Sequence, residues 1–352
     1  MSQRPRPSTR SCSRVRSPVV KDARLRCLAL AGLMVLTLVA SHGRPGQALF
    51  RPGERRADGA ECLLVPSRGA SAQNPLYADA EGTLVFTLFH RGYNRGPAGL
   101  FCRSARGGGG VALLDEEDVD SVNMPGSAIR GGKVVFASDR EEREEIWTLL
   151  LGPGSGLPRR VTRHGDRSAW REPTWSPDGR WIVFERNEAG AGAASVARCG
   201  SVWKVRTDGS GLVRLSPGPL EGFDDSQPNW SPAGGAIVFQ RRRVGSEAWN
   251  LHVMDDDGGH VRPLTHGDGE DTDAAWSPDG RRVVFSSSRE GADGASLYVM
   301  DAGGGGARRL THDAAALDAA PCWSLDGAWI AFESRRAGEV GASLWRHRVQ
   351  EP

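Results

Sequence analysis

Pro173-Thr174-Trp175-Ser176-Pro177-Asp178-Gly179-Arg180-Trp181-Ile182-Val183-Phe184 sets a tight turn between two short strand-like segments. Pro177 fixes φ at the second position of the turn, and Gly179 accepts a positive φ at its end. Trp181 to Phe184 is an apolar run bounded by turn signals, the pattern of a strand buried on both faces. The phrase returns as Trp276-Ser277-Pro278-Asp279-Gly280 ahead of Val283-Val284-Phe285. Anchored on its phenylalanine, it occurs six times, at Phe86, Phe136, Phe184, Phe239, Phe285 and Phe332, with spacings of 46 to 55 residues. Eleven residues before each Phe stand Pro75, Pro125, Pro173, Pro228, Ala274 and Pro321. A fixed offset inside a drifting period marks one structural unit with variable loops, and a period of this length means a repeat architecture.

Each unit reads as four short strands. The first ends at Pro-x-Trp-Ser and the second ends at the Phe. The third is Leu251-His252-Val253-Met254 or Leu297-Tyr298-Val299-Met300. An Asp-Gly or Gly-rich turn leads to the fourth, such as Val213-Arg214-Leu215-Ser216 or Arg262-Pro263-Leu264-Thr265. Four strands per unit predict one propeller blade each. The sixth unit stops after its third strand, Leu344-Trp345-Arg346-His347. Asp58-Gly59-Ala60-Glu61-Cys62-Leu63-Leu64-Val65-Pro66-Ser67 matches the turn and fourth strand of other units and precedes the first one. The chain is therefore predicted to be all-β, a six-bladed propeller whose last blade is closed by an N-terminal strand near Cys62 to Pro66, removing an exposed edge.

These residues resemble the TolB-type propeller repeat, within the wider WD-repeat-like group. The family phrase is Asp-x-x-Pro-x-Trp-Ser-Pro-Asp-Gly, an apolar strand ending in Phe, a Val-Met-Asp strand and Leu-Thr. Asp225 to Gly234, Asp271 to Gly280 and Asp318 to Gly327 match it with single departures at Ala233, Ala274 and Leu325. The resemblance covers residues 58–352 and implies fold far more than activity. TolB itself carries a separate α/β domain ahead of its propeller, for which the leader is too short. Related propellers precede prolyl-peptidase hydrolase domains, but this sequence holds no Gly-x-Ser-x-Gly elbow.

Residues 1–48 read as a signal peptide and short linker, and 49–352 as the propeller. A basic region is followed by the uncharged run Cys27 to Ala40 and then by small residues. That run is short for a membrane span, so a periplasmic or secreted protein is expected, with an uncleaved anchor as the alternative. Residues 1–48 hold nine of the 45 Lys and Arg and one of the 43 Asp and Glu, leaving the remainder at −6. That balance excludes a basic nucleic-acid-binding surface. Cys62, Cys102, Cys199 and Cys322 are read as buried free thiols, and their spacing carries no zinc motif.

Chemistry is expected in the connections from each fourth strand to the next blade. Asp115 to Asp120, Glu221 to Asp225, Asp268 to Asp273 and Asp313 to Asp318 hold 14 acids and no Lys or Arg. They share one sense, so one face is predicted to be strongly negative. His164, His266 and His312 each follow a fourth strand. The binding candidates are Asp225, Asp271, Asp273, Asp318, His164, His266, His312 and Trp170, which lies outside the repeat positions. Carboxylates suit a hard cation and imidazoles a transition metal. The opposing reading makes the repeat Asp residues turn-shapers that bond backbone amides. Two functions follow. One is an exported, non-catalytic, monomeric propeller that binds a protein or peptide on its acidic face, with no cofactor. The other is a lactonase- or lyase-like enzyme using a divalent metal, such as calcium, in the channel.

Overall fold

The computed structural model describes residues 52–106, 110–114, 123–152, 156–188, 199–290, 294–336 and 338–349. The leader at 1–48, the acidic stretch Asp115 to Asp120 and most of the insertion after Asn187 lie outside the described residues.

Six four-stranded antiparallel sheets are formed, five of them in sequence order and the sixth with the first strand of the chain at its edge. Blade 3 is typical, with strands Ala169–Trp175, Trp181–Glu188, Cys199–Arg206 and Val213–Arg214. Blade 6 combines Ala316–Trp323, Trp329–Arg336 and Ser343–Arg348 with the N-terminal strand Glu61–Leu64, as expected. Glu61 pairs with Arg346 and Cys62 with Trp345. The preceding residues fold back over that strand, Gly53 N donating to Cys62 O and Cys62 N to Glu54 O, both at 2.8 Å. The otherwise open edge is thereby covered.

The repeat phrase has a local physical reason at each position. In blade 3 the Ser176 hydroxyl donates to Asp178 Oδ1 (2.6 Å) and accepts from Trp181 N (2.9 Å), while Arg180 N donates to Asp178 (3.0 Å). Blades 5 and 6 repeat this bonding at Ser277/Asp279 and Ser324/Asp326. The hydroxyl of the Leu-Thr or Leu-Ser end accepts a third-strand amide: Val202 N to Ser216, Leu251 N to Thr265 and Leu297 N to Thr311, at 2.9–3.0 Å. This side-chain bond fixes a fourth strand that pairs over only two residues. Gly258, at φ 93°, needs both its backbone freedom and its missing Cβ, which would sit 2.4 Å from Leu215 O of blade 3.

The six phenylalanines are 2% exposed or less. They pack between sheets as well as within them. Val183 and Leu215 of blade 3, for example, join Trp230, Phe239 and Met254 of blade 4 in one apolar cluster. Polar ties reinforce these seams, with Trp276 Nε1 donating to Asn229 O (3.0 Å) and Trp323 Nε1 to Ala275 O (3.2 Å), each reaching the preceding blade.

Blade 2 departs from the common register. Its first hairpin turns on Gly131-Gly132 between the paired residues Arg130 and Lys133. In blade 1 the corresponding pair, Tyr77 and Leu84, is separated by six residues. Pro125 keeps its sequence offset yet lies opposite Phe136, whereas the other five prolines or alanines fall inside a β-bulge.

Candidate functional site at the axial channel

The bulge decides what lines the axis. A bulge inserts unpaired residues into one strand and re-aims their side chains. In five first strands the leading residue of the bulge lies in the left-handed region: Asn74, Glu172, Gln227, Asp273 and Ala320, with φ between 48° and 53°. All five line a narrow cavity of about 80 Å³ on the axis, with the prolines and alanines that follow them.

A second ring stands one residue after the repeat phenylalanines. Glu185 accepts from Gln227 N (3.4 Å), Gln240 from Asp273 N (3.3 Å) and Glu333 from Asn74 N (2.9 Å). Ser286 donates to Asp318 O at 2.7 Å. In every case the contact runs to the first strand of the next blade, so these side chains tie neighbouring blades together. Tyr93, from the loop between the second and third strands of blade 1, donates to Glu333 Oε1 (2.7 Å), and Arg335 stacks on its ring.

The axial acids hold their protons unusually well. Burial raises Glu172 to about 7, with Asp273 adding repulsion. Burial raises Glu185 to about 8, with Glu172 adding to it. Glu333 also rises to about 7 through burial, although the Tyr93 hydrogen bond opposes the shift. Asp273 is raised by burial as well. At neutral pH the channel thus holds carboxyl groups poised between neutral and charged forms.

Of the sequence candidates, only Asp273 reaches this cavity. Asp225, Asp271 and Asp318 are buried in Arg pairs. Arg241 bonds Asp225 at 2.6 and 2.8 Å, Arg289 bonds Asp271 at 3.0 Å twice, and Arg56 bonds Asp318 at 3.0 and 3.2 Å. Among the described residues they neither project to solvent nor bond turn amides. His266 and His312 are exposed. His164 stacks on Trp170, and Trp170 on Phe184, with centroids 4.9 and 4.8 Å apart. Trp170 belongs to the first strand of blade 3 rather than a loop and is 4% exposed, so it has no free face for a ligand. The acids and imidazoles do not converge. Among the described residues, no group of three or more His, Cys, Asp or Glu side chains is arranged to hold a metal ion.

Part of the charge on the expected negative face is paired, while Asp115 to Asp120 lie outside the described residues. Arginines at the ends of second strands stand beside these loops. Arg242 pairs with Asp224 (2.9 Å) and Arg336 with Asp313, while Arg214 of a fourth strand pairs with Glu221 (3.0 Å). Asp268 and Glu270 remain exposed.

Glu172, Glu185 and Glu333 stand on first and second strands rather than in the connecting loops. Their signal lay beside the repeat anchors. Asn74, Glu172 and Gln227 each precede the repeat proline, and Thr87, Glu185, Gln240, Ser286 and Glu333 each follow the repeat phenylalanine.

Fold and repeat chemistry define a six-bladed β-propeller built of TolB-type repeats. The family described as TolB beta propeller domain matches residues 213–344. The Tol-Pal system protein TolB 1 of Novosphingobium aromaticivorans is 41% identical over 86 residues, 24% of this chain and 16% of that protein. An uncharacterized protein of Agrobacterium fabrum is 31% identical over 140 residues, 38% of this chain and 43% of its own length. The matches thus span less than half of these curated relatives. Among solved structures, a putative TolB from Agrobacterium tumefaciens aligns with a TM-score of 0.54 at 19% identity, over 80% of this chain and 91% of that one. An oligogalacturonate lyase in complex with manganese aligns at 0.51 and 12% identity, over 85% and 95%. At these identities the structures share the fold alone. Among the described residues no helix is long and apolar enough to cross a membrane.

Proposed function

We propose that this chain is an exported, non-catalytic propeller that binds a protein or peptide partner where the axial channel opens among the loops. One observation carries the reading: the β-bulges place Asn74, Glu172, Gln227 and Asp273, two amides and two acids, around one axial cavity. Amides donate and accept while carboxylates accept, which suits a polar or basic segment of a partner. The buried Arg–Asp pairs around them supply rigidity rather than contact. Export rests on the basic, then apolar, leader.

A photo-crosslinking residue at Gln227 tests this, with one at exposed Arg308 as control. The reading expects an adduct from Gln227 only, diminished by the Glu172→Gln/Asp273→Asn double variant. Equal adducts from both positions, or none, would count against it. Export is checked by the mass of protein recovered from cells, which should lack the leader.

A second reading, a propeller enzyme with a divalent ion such as Ca²⁺ in the channel, would draw on the carboxyls of Glu172 and Asp273, which line one cavity, although among the described residues no three such groups are arranged to hold a metal. Added Ca²⁺ or Zn²⁺ should then raise Tm by mass action, and the double variant should abolish the rise.

A further inference from the structure

Where blade 6 meets blade 1, three connections come together on the loop side of the ring. Val65 to Ala70 leads from the donated strand into blade 1, and His90 to Pro97 joins the second and third strands of blade 1. Gly338 to Val340 belongs to the corresponding loop of blade 6. Tyr93 N donates to Val340 O at 3.0 Å, and a Cβ on Gly92 would sit 3.1 Å from Val340 and 3.9 Å from Gly69 O. The first two connections hold Arg68, Arg91 and Arg95 and no Asp or Glu. Arg335, near the end of the second strand of blade 6, reaches the same place, its guanidinium 4.5 Å over the Tyr93 ring.

These four cations differ from their neighbours on the same face. Arg242, Arg289 and Arg336 are each held by an acid. Among the described residues, Arg68, Arg91, Arg95 and Arg335 make no ion pair. Glu339 accepts from Arg336 N, and Glu333 is buried, bonded to Tyr93 Oη and Asn74 N. Arg68, Arg91 and Arg95 are exposed, and beside them Val340 is 63% exposed. A guanidinium can only donate, and it meets a carboxylate through two parallel N–H groups. Arginine and tyrosine around an exposed apolar side chain match the composition of a protein interface. Residues 49–352 carry a formal charge of −6, which as a whole repels an extended polyanion such as an anionic membrane or a nucleic acid. A short acidic segment meets only the local patch, because charges beyond about 8–10 Å are screened.

We propose that the junction of blades 6 and 1 is an interaction surface for an acidic segment of a partner protein. The segment's carboxylates accept from Arg91, Arg95 and Arg335, an apolar side chain among them packs on Val340, and Arg68 adds to the attraction. The surface lies outside the axial cavity and requires nothing to enter it, so it goes beyond the reading above.

The probe is the peptide Asp-Glu-Leu-Asp-Glu, acetylated and amidated, titrated into the full chain and followed by ¹H–¹⁵N spectra of the backbone amides. The signals of Arg91 to Arg95 and Val340 should shift at low salt, and added NaCl should weaken the response. Arg91→Gln/Arg95→Gln should weaken binding about ten-fold, the loss expected for two exposed ion pairs, and Arg335→Gln about three-fold. Arg180→Gln/Arg281→Gln, which removes the same charge from the Ser-Pro-Asp-Gly turns of the opposite face, should leave it unchanged. Arg91 and Arg95 are exposed, so their variant should fold, and Arg335→Gln provides an independent variant. No shift up to about 1 mM peptide would overturn the proposal. So would an equal loss in Arg180→Gln/Arg281→Gln, or an equal response to Lys-Lys-Leu-Lys-Lys. Phosphatidylglycerol vesicles that sediment the parent but not Arg91→Gln/Arg95→Gln would assign the patch to a membrane and overturn it as well. The peptide response is read with no partner in the channel, so it fails or holds separately from the Gln227 adduct.

Discussion

Arg56 and Asp318 form an ion pair across 262 residues of sequence, one guanidinium nitrogen donating to both carboxylate oxygens, with side chains 4% and 0% exposed. In blades 4 and 5 the matching aspartates take their arginine from within the blade, Arg241 and Arg289. In blade 6 the corresponding partner arrives with the N-terminal segment. Its guanidinium also lies 4.0 Å over the Trp345 ring and bonds the Ser334 hydroxyl. Ring closure is therefore secured by a buried charge pair as well as by strand pairing.

Removing Arg56 leaves the Asp318 carboxyl buried without its cation. Arg56→Met should cost roughly 3–5 kcal/mol in urea unfolding, and Asp318→Leu added to it should recover much of that loss. If the double variant is as unstable as Arg56→Met, the pair is not what holds the N-terminal segment.

The indoles at the blade seams provide a matched comparison. Trp276→Phe removes a hydrogen bond to Asn229 O, whereas Trp230→Phe removes none. Both substitutions lose similar area, so Trp276→Phe should be about 1 kcal/mol more destabilising. Equal losses would mean that the seam is held by packing alone.

Glu172, Glu185 and Glu333 hold pKa values of about 7, 8 and 7 in the fold, against 4.5 for an ordinary glutamate. With the folded values raised, their contribution is complete below pH 4.5 and is lost as pH climbs through 7 to 8. Stability should fall across that window. Glu185→Gln keeps an acceptor for Gln227 N and should flatten the profile. Its urea midpoint should equal that of the parent near pH 4.5 and exceed it near pH 8.

Burial lifts the thiols of Cys62 and Cys322 to about 12 and 11. Both should resist a pulse of iodoacetamide at neutral pH and become labelled only at the unfolding rate. Cys102 is half-buried and should label first. Peptide mapping separates the sites. Rapid native labelling of Cys62 would place the N-terminal strand in exchange with solvent.

The blade count, the turn chemistry and the donated last strand were legible because each depends on nearby residues at fixed spacing. Leu264-Thr265 carries its own explanation, an apolar side chain for the seam and a hydroxyl for Leu251 N. Blade 2 was less legible. Pro125 keeps the offset while the Gly131-Gly132 turn shortens the hairpin and changes the register.

The charge pattern was read least well. Asp225, Asp271 and Asp318 look like rim residues in one dimension, since their neighbours are acids and glycines. Their arginines stand 16, 18 and 262 residues away. Only folding brings those cations alongside and turns these three carboxylates into buried pairs.

By itself the sequence determined that this chain builds six four-stranded units and borrows a strand from its own beginning, because periodicity and turn stereochemistry act locally. The tertiary structure alone decided which side chains meet at the axis. A left-handed bulge residue in each of five blades, rather than any loop, aims Glu172 and Asp273 into the channel. Convergence of that kind depends on the relative placement of separate sheets, which no spacing along the chain encodes.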